Sequence, residues 1–195
     1  LSQYNSHPHP EHFQVAKHLL RYLANNPGGK ISFTKNKQPF LCFTDADWGS
    51  DSCDRKSYSG FVMFLANGPI AWESKKQSVV ALSSMEAEYI ALCQGTKEVV
   101  FTRSLLEEIG LGKLVNKPTP IYCDNQGANF MAKNPTVQKR SKHIDIRYHY
   151  IRDCYNDGSI AVEYVPSDHN AADVLTKALP KLKHARACEL LNIIF

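Results

Sequence analysis

Two acidic residues of this chain follow short apolar runs that are typical of buried strands. Asp45 follows the run 41–44, and Asp124 follows a similar run. Two further carboxylates, Glu88 and Asp173, come near the starts of predicted helices. Hard divalent cations prefer oxygen ligands, and two such ions about 3.5–4 Å apart can activate a water and hold the leaving oxygen of a phosphoryl displacement. The pattern therefore fits a metal-dependent nuclease or phosphatase.

Spacing alone leaves alternatives open for each acid. An isolated Asp at a strand exit is most often a turn or cap residue, and Asp47 is as eligible as Asp45 on this ground. At roughly 100° per residue, Glu88 lies about 60° from the centre of the apolar stripe of its helix, whereas Glu86 lies about 100° off on the other side. We therefore expect Glu88 to reach the sheet and Glu86 to face solvent.

Apolar runs bounded by turn residues predict five strands, over 40–44, 61–66, 70–73, 121–123 and 160–165. A tight turn at Asn67-Gly68 joins the second strand to the third, so the first three strands form an antiparallel meander. A long crossover precedes the strand 121–123, which favours a parallel pairing with a helix on the sheet face. These patterns predict an α/β domain with a mixed sheet flanked by helices.

Four helices follow from capping and stop signals. Ser83 and Glu86 form a capping box that starts a long helix, and Gly110 ends it. Shorter helices are expected over 125–132 and 141–155. Asp168 or Asn170 caps a last helix, whose stripe is Ala172, Leu175, Leu179 and Leu182 and which Pro180 bends or interrupts.

Composition indicates the class of protein, and residues 1–38 differ from the rest of the chain. Hydrophobic content of 43% and charged content of 22% are those of a globular protein, and no apolar run approaches the roughly 20 residues that span a bilayer. A net charge of +4 permits a polyanionic partner without demanding one. Residues 1–38 form an appendage with a helix over 11–23 and a short strand over 30–34, and they carry no visible chemistry.

Six motifs occur in order between Phe40 and Leu179: F-T-D-A-D-W, D-R-K-S-Y-S-G, S-K-K-Q-S-V-V-A-L-S-S-M-E-A-E-Y-I-A-L, I-Y-C-D-N-Q-G-A, K-H-I-D-I-R-Y-H-Y-I-R and V-P-S-D-H-N-A-A-D-V-L-T-K. Together they resemble the ribonuclease H domain of copia-type LTR retrotransposon polyproteins. The segment H-P-H-P-E-H-F-Q-V-A-K-H-L-L-R-Y-L resembles the end of the reverse transcriptase connection that precedes this domain. The resemblance thus divides the chain into a connection end, 1–38, and a ribonuclease H domain, 39–195.

The resemblance implies a ribonuclease H fold, with a five-stranded mixed sheet in the order 3-2-1-4-5. It also implies two-metal-ion cleavage of the RNA strand of RNA–DNA hybrids by Mg²⁺, for which Mn²⁺ is expected to substitute. Asp45, Glu88, Asp124 and Asp173 match the four catalytic and metal-binding acids of the family. The family further implies a reverse transcriptase domain in the same polyprotein as a partner, no membrane, and a location in a cytoplasmic virus-like particle or in the nucleus.

Other residues are candidates for contacts with the substrate. Short polar side chains that flank the acids could sense RNA 2′-hydroxyls, with helix capping as the alternative role: Ser83, Ser84, Asn125 and Gln126. Basic residues could bind phosphates, with a solvated charge as the alternative: Lys75, Lys76, Lys139, Arg140, Lys142, His143, Arg147 and Arg152. His169 lies in the loop where many cellular members place a helper histidine, but closer to Asp173. A surface or capping role is its alternative.

Three functions compete at this stage. The leading hypothesis is a ribonuclease H that acts on RNA–DNA hybrids. The second is a catalytically silent module of the same fold that binds nucleic acid or protein, although such modules usually lose one or more acids and all four are in place here. The third is an integrase- or resolvase-type relative that cuts DNA. The contexts E-A-E-Y and C-D-N-Q resemble ribonucleases H instead.

Overall fold

The computed structural model describes residues 1, 4–35, 39–115, 118–134 and 142–195, with the backbone alone described for 142–145. The strands are β1 (Lys30–Ile31), β2 (Leu41–Ala46), β3 (Tyr58–Leu65), β4 (Gly68–Lys76), β5 (Thr119–Cys123), β6 (Ile160–Tyr164) and β7 (Ile193–Ile194). The α-helices are α1 (Pro10–Asn25), α2 (Ser84–Glu108), α3 (Gln126–Lys133), α4 (Lys142–Asn156) and α5 (Lys181–Leu190).

The main sheet has five strands in the order β4-β3-β2-β5-β6. Counted from β2 as the first strand, this is the order 3-2-1-4-5, so the fold prediction is confirmed. Strands β2, β3 and β4 are antiparallel, whereas β5 pairs in parallel with both β2 and β6. The carboxyl ends of β2 and β5 therefore meet at one edge of the sheet.

Apolar side chains cover both faces of this sheet. On one face, alternate β2 residues such as Cys42 pack with Tyr89 and Leu92 of α2 and with Ile121 of β5 in the larger core. On the other face, Leu41 and its neighbours pack against Ala171, Ala172 and the end of α5. Because β2 is covered on both sides, its last residues are held firmly.

The hairpin turn between β3 and β4 differs from the prediction. Ala66 and Asn67 occupy its two central positions, both with positive φ (52° and 63°), and Gly68 already belongs to β4. The expected pair Asn67-Gly68 was therefore wrong by one residue. A two-residue turn with positive φ at both positions matches the twist of the flanking strands, and Asn tolerates this conformation better than most residues.

The last helix was also predicted wrongly. The segment expected to begin it forms two 3₁₀ turns, Ser167–His169 and Asp173–Leu175, and α5 starts only after Pro180. Proline has no N–H to donate to the carbonyl four residues earlier, and its ring clashes with that carbonyl. Of the bend and the interruption that were expected at Pro180, the structure shows the interruption.

The N-terminal part contacts the rest of the chain through a short sheet. β1 pairs antiparallel with β7 at the C-terminus and is shorter than the predicted strand 30–34. Helix α1 extends beyond both ends of its predicted range, and none of its residues is buried. The division of the chain at residue 38 stays a prediction.

Candidate active site

Asp45 lies at the centre of the site, near the end of β2, and none of its surface is exposed. Its carboxylate accepts a hydrogen bond from the hydroxyl of Thr176. The ammonium of Lys177 lies 3.3 Å from Asp45 Oδ2. A fully buried carboxylate needs such partners, because leaving a charge unpaired in the interior is costly.

Asp47 has a different role from Asp45. Its carboxylate accepts hydrogen bonds from the backbone N–H groups of Ser50, at 3.1 Å, and of Tyr58. These bonds fix the loop that follows β2. Asp47 is therefore a loop residue, and Asp45 is the acid of this strand that reaches the other carboxylates.

Glu88 reaches the site from the second turn of α2 and is only 6% exposed. The nearby Ala46 backbone acts to lower the pKa of its carboxyl group, and Cys123 Sγ lies 3.8 Å from Glu88 Oε2. Glu88 thus lies toward the sheet, as its position on the helix indicated.

Glu86 does not face solvent as expected. It is 9% exposed, because its carboxylate turns back and accepts a hydrogen bond of 3.0 Å from the backbone N–H of Leu82. The hydroxyl of Ser83 accepts a hydrogen bond from the Glu86 N–H, so the predicted cap is present. The prediction considered only the angular position of Glu86 on the helix. It did not allow for a carboxylate that folds back over the N-terminus of the helix.

Asp124 directly follows β5 and is, after Asp45, the second acid at the end of a strand. The hydroxyl of Ser167 donates to Asp124 Oδ2 at 2.6 Å. Among the described residues, Glu88, Cys123 and Asp124 form a group whose potential ligand atoms all lie within 4.8 Å of one another. The thiol between the two acids was not anticipated as part of this group.

Asp173 comes to the site in the 3₁₀ turn Asp173–Leu175 and not in an α-helix. Its Oδ1 lies 2.6 Å from Lys177 Nζ, so Lys177 joins it to Asp45. Asn170, which is 2% exposed, donates to the Thr44 carbonyl at 3.0 Å and holds the preceding loop against β2. This turn also lies very close to Gly60 of β3, where a Cβ would be only 2.7 Å from Leu175 Cβ.

The charge of Asp45 interacts with those of Glu88, Asp124 and Asp173. Burial raises the pKa of Glu88 to about 9, and the charges of Asp45 and Asp124 add to the rise. Burial also raises the pKa of Asp45, with Asp124 and Asp173 adding to the rise, while Lys177 and Thr176 oppose it. Crowded acids of this kind favour a bound cation, because a positive charge relieves both the desolvation and the repulsion.

Lys177 is the cation that the described residues supply to this cluster. Burial acts to lower its pKa, but the charges of Asp45 and Asp173 outweigh burial and raise it. The motif V-L-T-K contains this residue, yet no role was predicted for it. The sequence feature that could have pointed to Lys177 is its i,i+4 spacing from Asp173, because this spacing brings opposite charges together on a helical turn.

The chemistry of the donors fits magnesium. Asp45, Glu88, Asp124 and Asp173 offer carboxylate oxygens, the ligands that Mg²⁺ prefers. Cys123 offers sulfur, a ligand that suits softer metals. Burial raises the pKa of the Cys123 thiol well above its usual value, with the Glu88 charge adding to the rise. A protonated thiol is not a magnesium ligand, so Glu88 and Asp124 are the members of this group that fit the ion. Asp45 and Asp173 lie outside the group, and the full set of four stays a prediction.

The predicted substrate residues divide into caps and exposed side chains. Ser83 caps α2, and Asn125 caps α3 by accepting a hydrogen bond of 2.9 Å from the Ala128 N–H. Ser84 and Gln126 are exposed beside these caps. The side chains of Lys142 and His143 lie outside the described set, as do Lys139 and Arg140 entirely.

His169 is exposed at the end of the 3₁₀ turn Ser167–His169. It lines a cavity of about 330 Å³ together with Asp173, Lys183 and Arg186. It therefore lies at the mouth of the site, and its role as a helper stays a prediction.

The basic residues predicted to contact phosphates differ in their exposure and in their ion pairs. Lys76 Nζ lies 2.5 Å from Asp51 Oδ2 and 3.0 Å from Asp54 Oδ1, so two acids already compensate its charge. Lys75 is exposed. Arg147 and Arg152 of α4 are only partly exposed, and the Arg152 guanidinium lies 5.9 Å from the centre of the Tyr148 ring.

Within the described ranges, the structure contains no helix that is long and apolar enough to span a membrane.

Known proteins similar to this chain include two plant polyproteins. The chain is 38% identical over 193 residues to the retrovirus-related Pol polyprotein from transposon TNT 1-94 of Nicotiana tabacum, a match that covers 99% of the chain and 14% of the relative. It is 41% identical over 182 residues to the retrovirus-related Pol polyprotein from transposon RE1 of Arabidopsis thaliana, which covers 93% and 12%. The chain thus spans about one seventh of the length of these relatives. No family model matches it.

Solved structures of LC11-RNase H1, isolated from compost by a metagenomic approach, share the architecture. One superposes with a TM-score of 0.51 at 15% sequence identity and covers 71% of this chain and 92% of that chain. The structure of LC11-RNase H1 in complex with an RNA/DNA hybrid gives 0.50 at 16% identity, with 70% and 93% covered. Because the sequence identity is so low, this structural similarity establishes the fold alone.

Proposed function

Because the chain belongs to the copia-type retrotransposon Pol polyproteins, as a segment with the ribonuclease H fold, we propose that it cleaves the RNA strand of RNA–DNA hybrids. One observation carries this proposal. Four carboxylates from β2, α2, β5 and the turn after β6 interact at one edge of the sheet. Such a set is suited to two divalent cations and a phosphodiester.

Asp45, Glu88, Asp124 and Asp173 would hold two Mg²⁺ ions, for which Mn²⁺ would substitute. When bound, the ions supply charge stabilisation for the phosphate and lower the pKa of a water that attacks it. The chain's own contribution is rigidity. Asp45 and Glu88 are buried on a strand and a helix, so they present their oxygens with little rotation.

The remaining groups of the site orient these acids. Ser167 donates to Asp124 and leaves its other oxygen available. Thr176 and Lys177 together hold Asp45, and Lys177 also holds Asp173. When metal binds, the Lys177 ammonium would have to yield part of this space, and its long side chain, 41% exposed, allows it to swing toward the substrate phosphate.

The substrate class is supported by physical requirements and by likeness. A nuclease for hybrids must sense 2′-hydroxyls across the wide minor groove of an A-like duplex. The exposed Ser84 and Gln126, next to the caps Ser83 and Asn125, supply polar groups beside the acids. LC11-RNase H1, which shares the fold, has been solved with an RNA/DNA hybrid.

The relatives suggest the wider setting of this activity. They are Pol polyproteins about seven times as long as this chain. A reverse transcriptase domain of the same polyprotein is therefore the proposed partner, since reverse transcription produces the hybrids to be cleaved. A cytoplasmic virus-like particle, with the nucleus as the alternative, is the proposed location.

A cleavage assay tests this function. A hybrid with fluorescently labelled RNA should be cut by the wild-type chain with Mg²⁺ and left intact with EDTA, and Asp124→Asn should remove the activity. Hybrid binding without cleavage would instead favour a silent module of this fold. Cutting of plain duplex DNA would favour an integrase- or resolvase-type activity.

A further inference from the structure

Trp48 exposes most of its indole ring beside the candidate active site. It follows Asp45 by three residues, and 60% of its surface is accessible. Its indole N–H donates to the Ala81 carbonyl at 3.2 Å, so only the polar edge of the ring is used by the fold. The next residue along from Ala81, Leu82, is 82% exposed. Two large apolar side chains therefore face solvent at one place, which we call the Trp48–Leu82 patch.

The patch adjoins the elements that carry the metal-binding acids. Leu82 directly precedes Ser83, the cap of α2, and α2 presents Glu88. Beneath it, Ala81 packs in a small cluster with Ala46, the residue that follows Asp45. The patch therefore lies on the two segments that lead out of the strand of Asp45 and into the helix of Glu88.

The loop that holds Trp48 is rigid. The Asp47 carboxylate accepts hydrogen bonds from the backbone N–H groups of Ser50 and Tyr58, on both sides of the loop. Gly49 adopts a positive φ of 57°, and its N–H donates to Ser57 Oγ at 3.0 Å. With the indole N–H fixed as well, the ring is held in one exposed position. Preorganised aromatic groups of this kind lose little entropy on binding.

On this basis, and given the hybrid nuclease activity proposed above, we propose that the Trp48–Leu82 patch packs against the sugars of the hybrid's minor groove and positions the duplex over the acids. The wide, shallow minor groove of an A-like duplex displays its sugars with their 2′-hydroxyls, and a preorganised aromatic side chain adds contact area there at a low cost in entropy. The patch complements Ser84 and Gln126, since it supplies apolar contact area where they supply hydrogen bonds. Trp48 is a positioning residue here and takes no part in the bond cleavage.

The chain offers a matched control, because Trp72 is its second and last tryptophan. Trp72 is 55% exposed on β4 and lines an apolar cavity with Ile31, Pro69 and Leu175. Trp72→Phe leaves Trp48 as the single tryptophan, and Trp48→Phe leaves Trp72. Both changes are made in an Asp124→Asn background to prevent cleavage, and anisotropy of a labelled hybrid reports binding independently.

On saturation with hybrid, the emission of Trp48 should change strongly, while that of Trp72 should change little. In the active chain, Trp48→Ala should raise KM about tenfold, which corresponds to about 1.4 kcal/mol of lost binding free energy, with little change in kcat. Trp48→Phe should recover part of the loss, and Trp72→Ala should have little effect. Melting curves followed by circular dichroism confirm that each variant is folded.

The outcomes separate this inference from the proposed function. If the hybrid binds and is cleaved while Trp48 emission and the KM of Trp48→Ala stay unchanged, the patch is not a substrate contact and the inference alone is wrong. If the wild-type chain neither binds nor cleaves hybrid, the proposed function and the inference both fail.

Discussion

The ammonium of Lys177 lies 3.3 Å from the carboxylate of Asp45, which is completely buried at the end of the central strand. The same ammonium lies 2.6 Å from Asp173. Lys177 therefore links the acid that β2 presents to the acid that the turn after β6 presents. The turn stays in place over β3 because this link and the Asn170 hydrogen bond to Thr44 act together.

Replacing Lys177 should destabilise the chain in the absence of metal. Lys177→Ala leaves the buried carboxylate of Asp45 without its cation, and we expect a loss of about 1–2 kcal/mol in the free energy of unfolding, since the lysine itself is partly exposed. Urea unfolding in EDTA measures this loss. Mg²⁺ should reduce it, because bound cations take over the compensation of the acids.

Lys183→Ala is the matched control for Lys177→Ala. Among the residues that the structure describes, Lys183 forms an ion pair with the exposed Asp168 alone, at 3.7 Å, so its loss should change the free energy of unfolding by less than about 0.5 kcal/mol. Equal losses in the two variants would contradict the role assigned to Lys177.

The stability of the metal-free chain should fall as pH rises. The pKa of Glu88 is raised from its ordinary value of 4.5 to about 9, so between these values the folded chain holds a proton that the unfolded chain has released. The free energy of unfolding therefore decreases with pH across this window. The pKa of Asp45 is raised as well and acts in the same direction. Urea unfolding in EDTA at several pH values between these limits measures the slope.

Glu88→Gln should remove a large part of this pH dependence, while Glu86→Gln on the same helix should leave it in place. Stabilisation by Mg²⁺ should grow over the same pH range, because the metal requires ionised carboxylates. A Glu88→Gln variant with the slope of the wild-type chain would show that Glu88 titrates normally.

Gly60 should be required for the position of Asp173. In Gly60→Ala the new methyl would lie 2.7 Å from Leu175 Cβ and 3.0 Å from Thr176 Cγ2, so the turn must move. Overpacking of this kind costs about 1–3 kcal/mol, and cleavage should need more Mg²⁺ than in the wild-type chain. Gly28→Ala is the control, since nothing lies within 4 Å of its Cβ position. Unchanged magnesium dependence in Gly60→Ala would contradict the placement of Asp173.

Ser167 should tune the metal affinity of Asp124. Ser167→Ala removes the hydroxyl that donates to Asp124 Oδ2 at 2.6 Å. Groups that orient a metal ligand typically change affinity or activity by 10-fold or more, so we expect about a tenfold rise in the Mg²⁺ concentration for half-maximal cleavage. Ser104→Ala, in which the lost hydroxyl bonds only the Val100 carbonyl of its own helix, should have no such effect. Identical magnesium curves for the two variants would count against this role.

The elements that carry three of the four acids could be predicted from the sequence because each has a clear period, but the choice of Asp45 over Asp47 came from the resemblance. Asp45 and Asp124 end apolar strands, and Glu88 lies on the sheet-facing side of a capped helix. Asp173 was identified by resemblance, but the helix expected around it was wrong, because an apolar stripe at helical spacing does not distinguish an α-helix from the 3₁₀ turn Asp173–Leu175 that precedes Pro180.

Other features depend on tertiary contacts that no local pattern encodes. Lys177, for example, meets Asp45 across 132 residues of chain. The exposure of Trp48 is likewise invisible in a motif, since an aromatic residue after a strand is usually expected to be buried. Contacts between residues so far apart in the sequence form only when the whole fold brings them together.

The central claim is that Asp45, Glu88, Asp124 and Asp173 bind two divalent ions, and anomalous diffraction from crystals soaked in Mn²⁺ tests it most directly. We expect two anomalous peaks between these four carboxylates, with the Lys177 ammonium displaced from Asp45. Soaked crystals without a peak among the four acids, or with Lys177 still between Asp45 and Asp173, would contradict it.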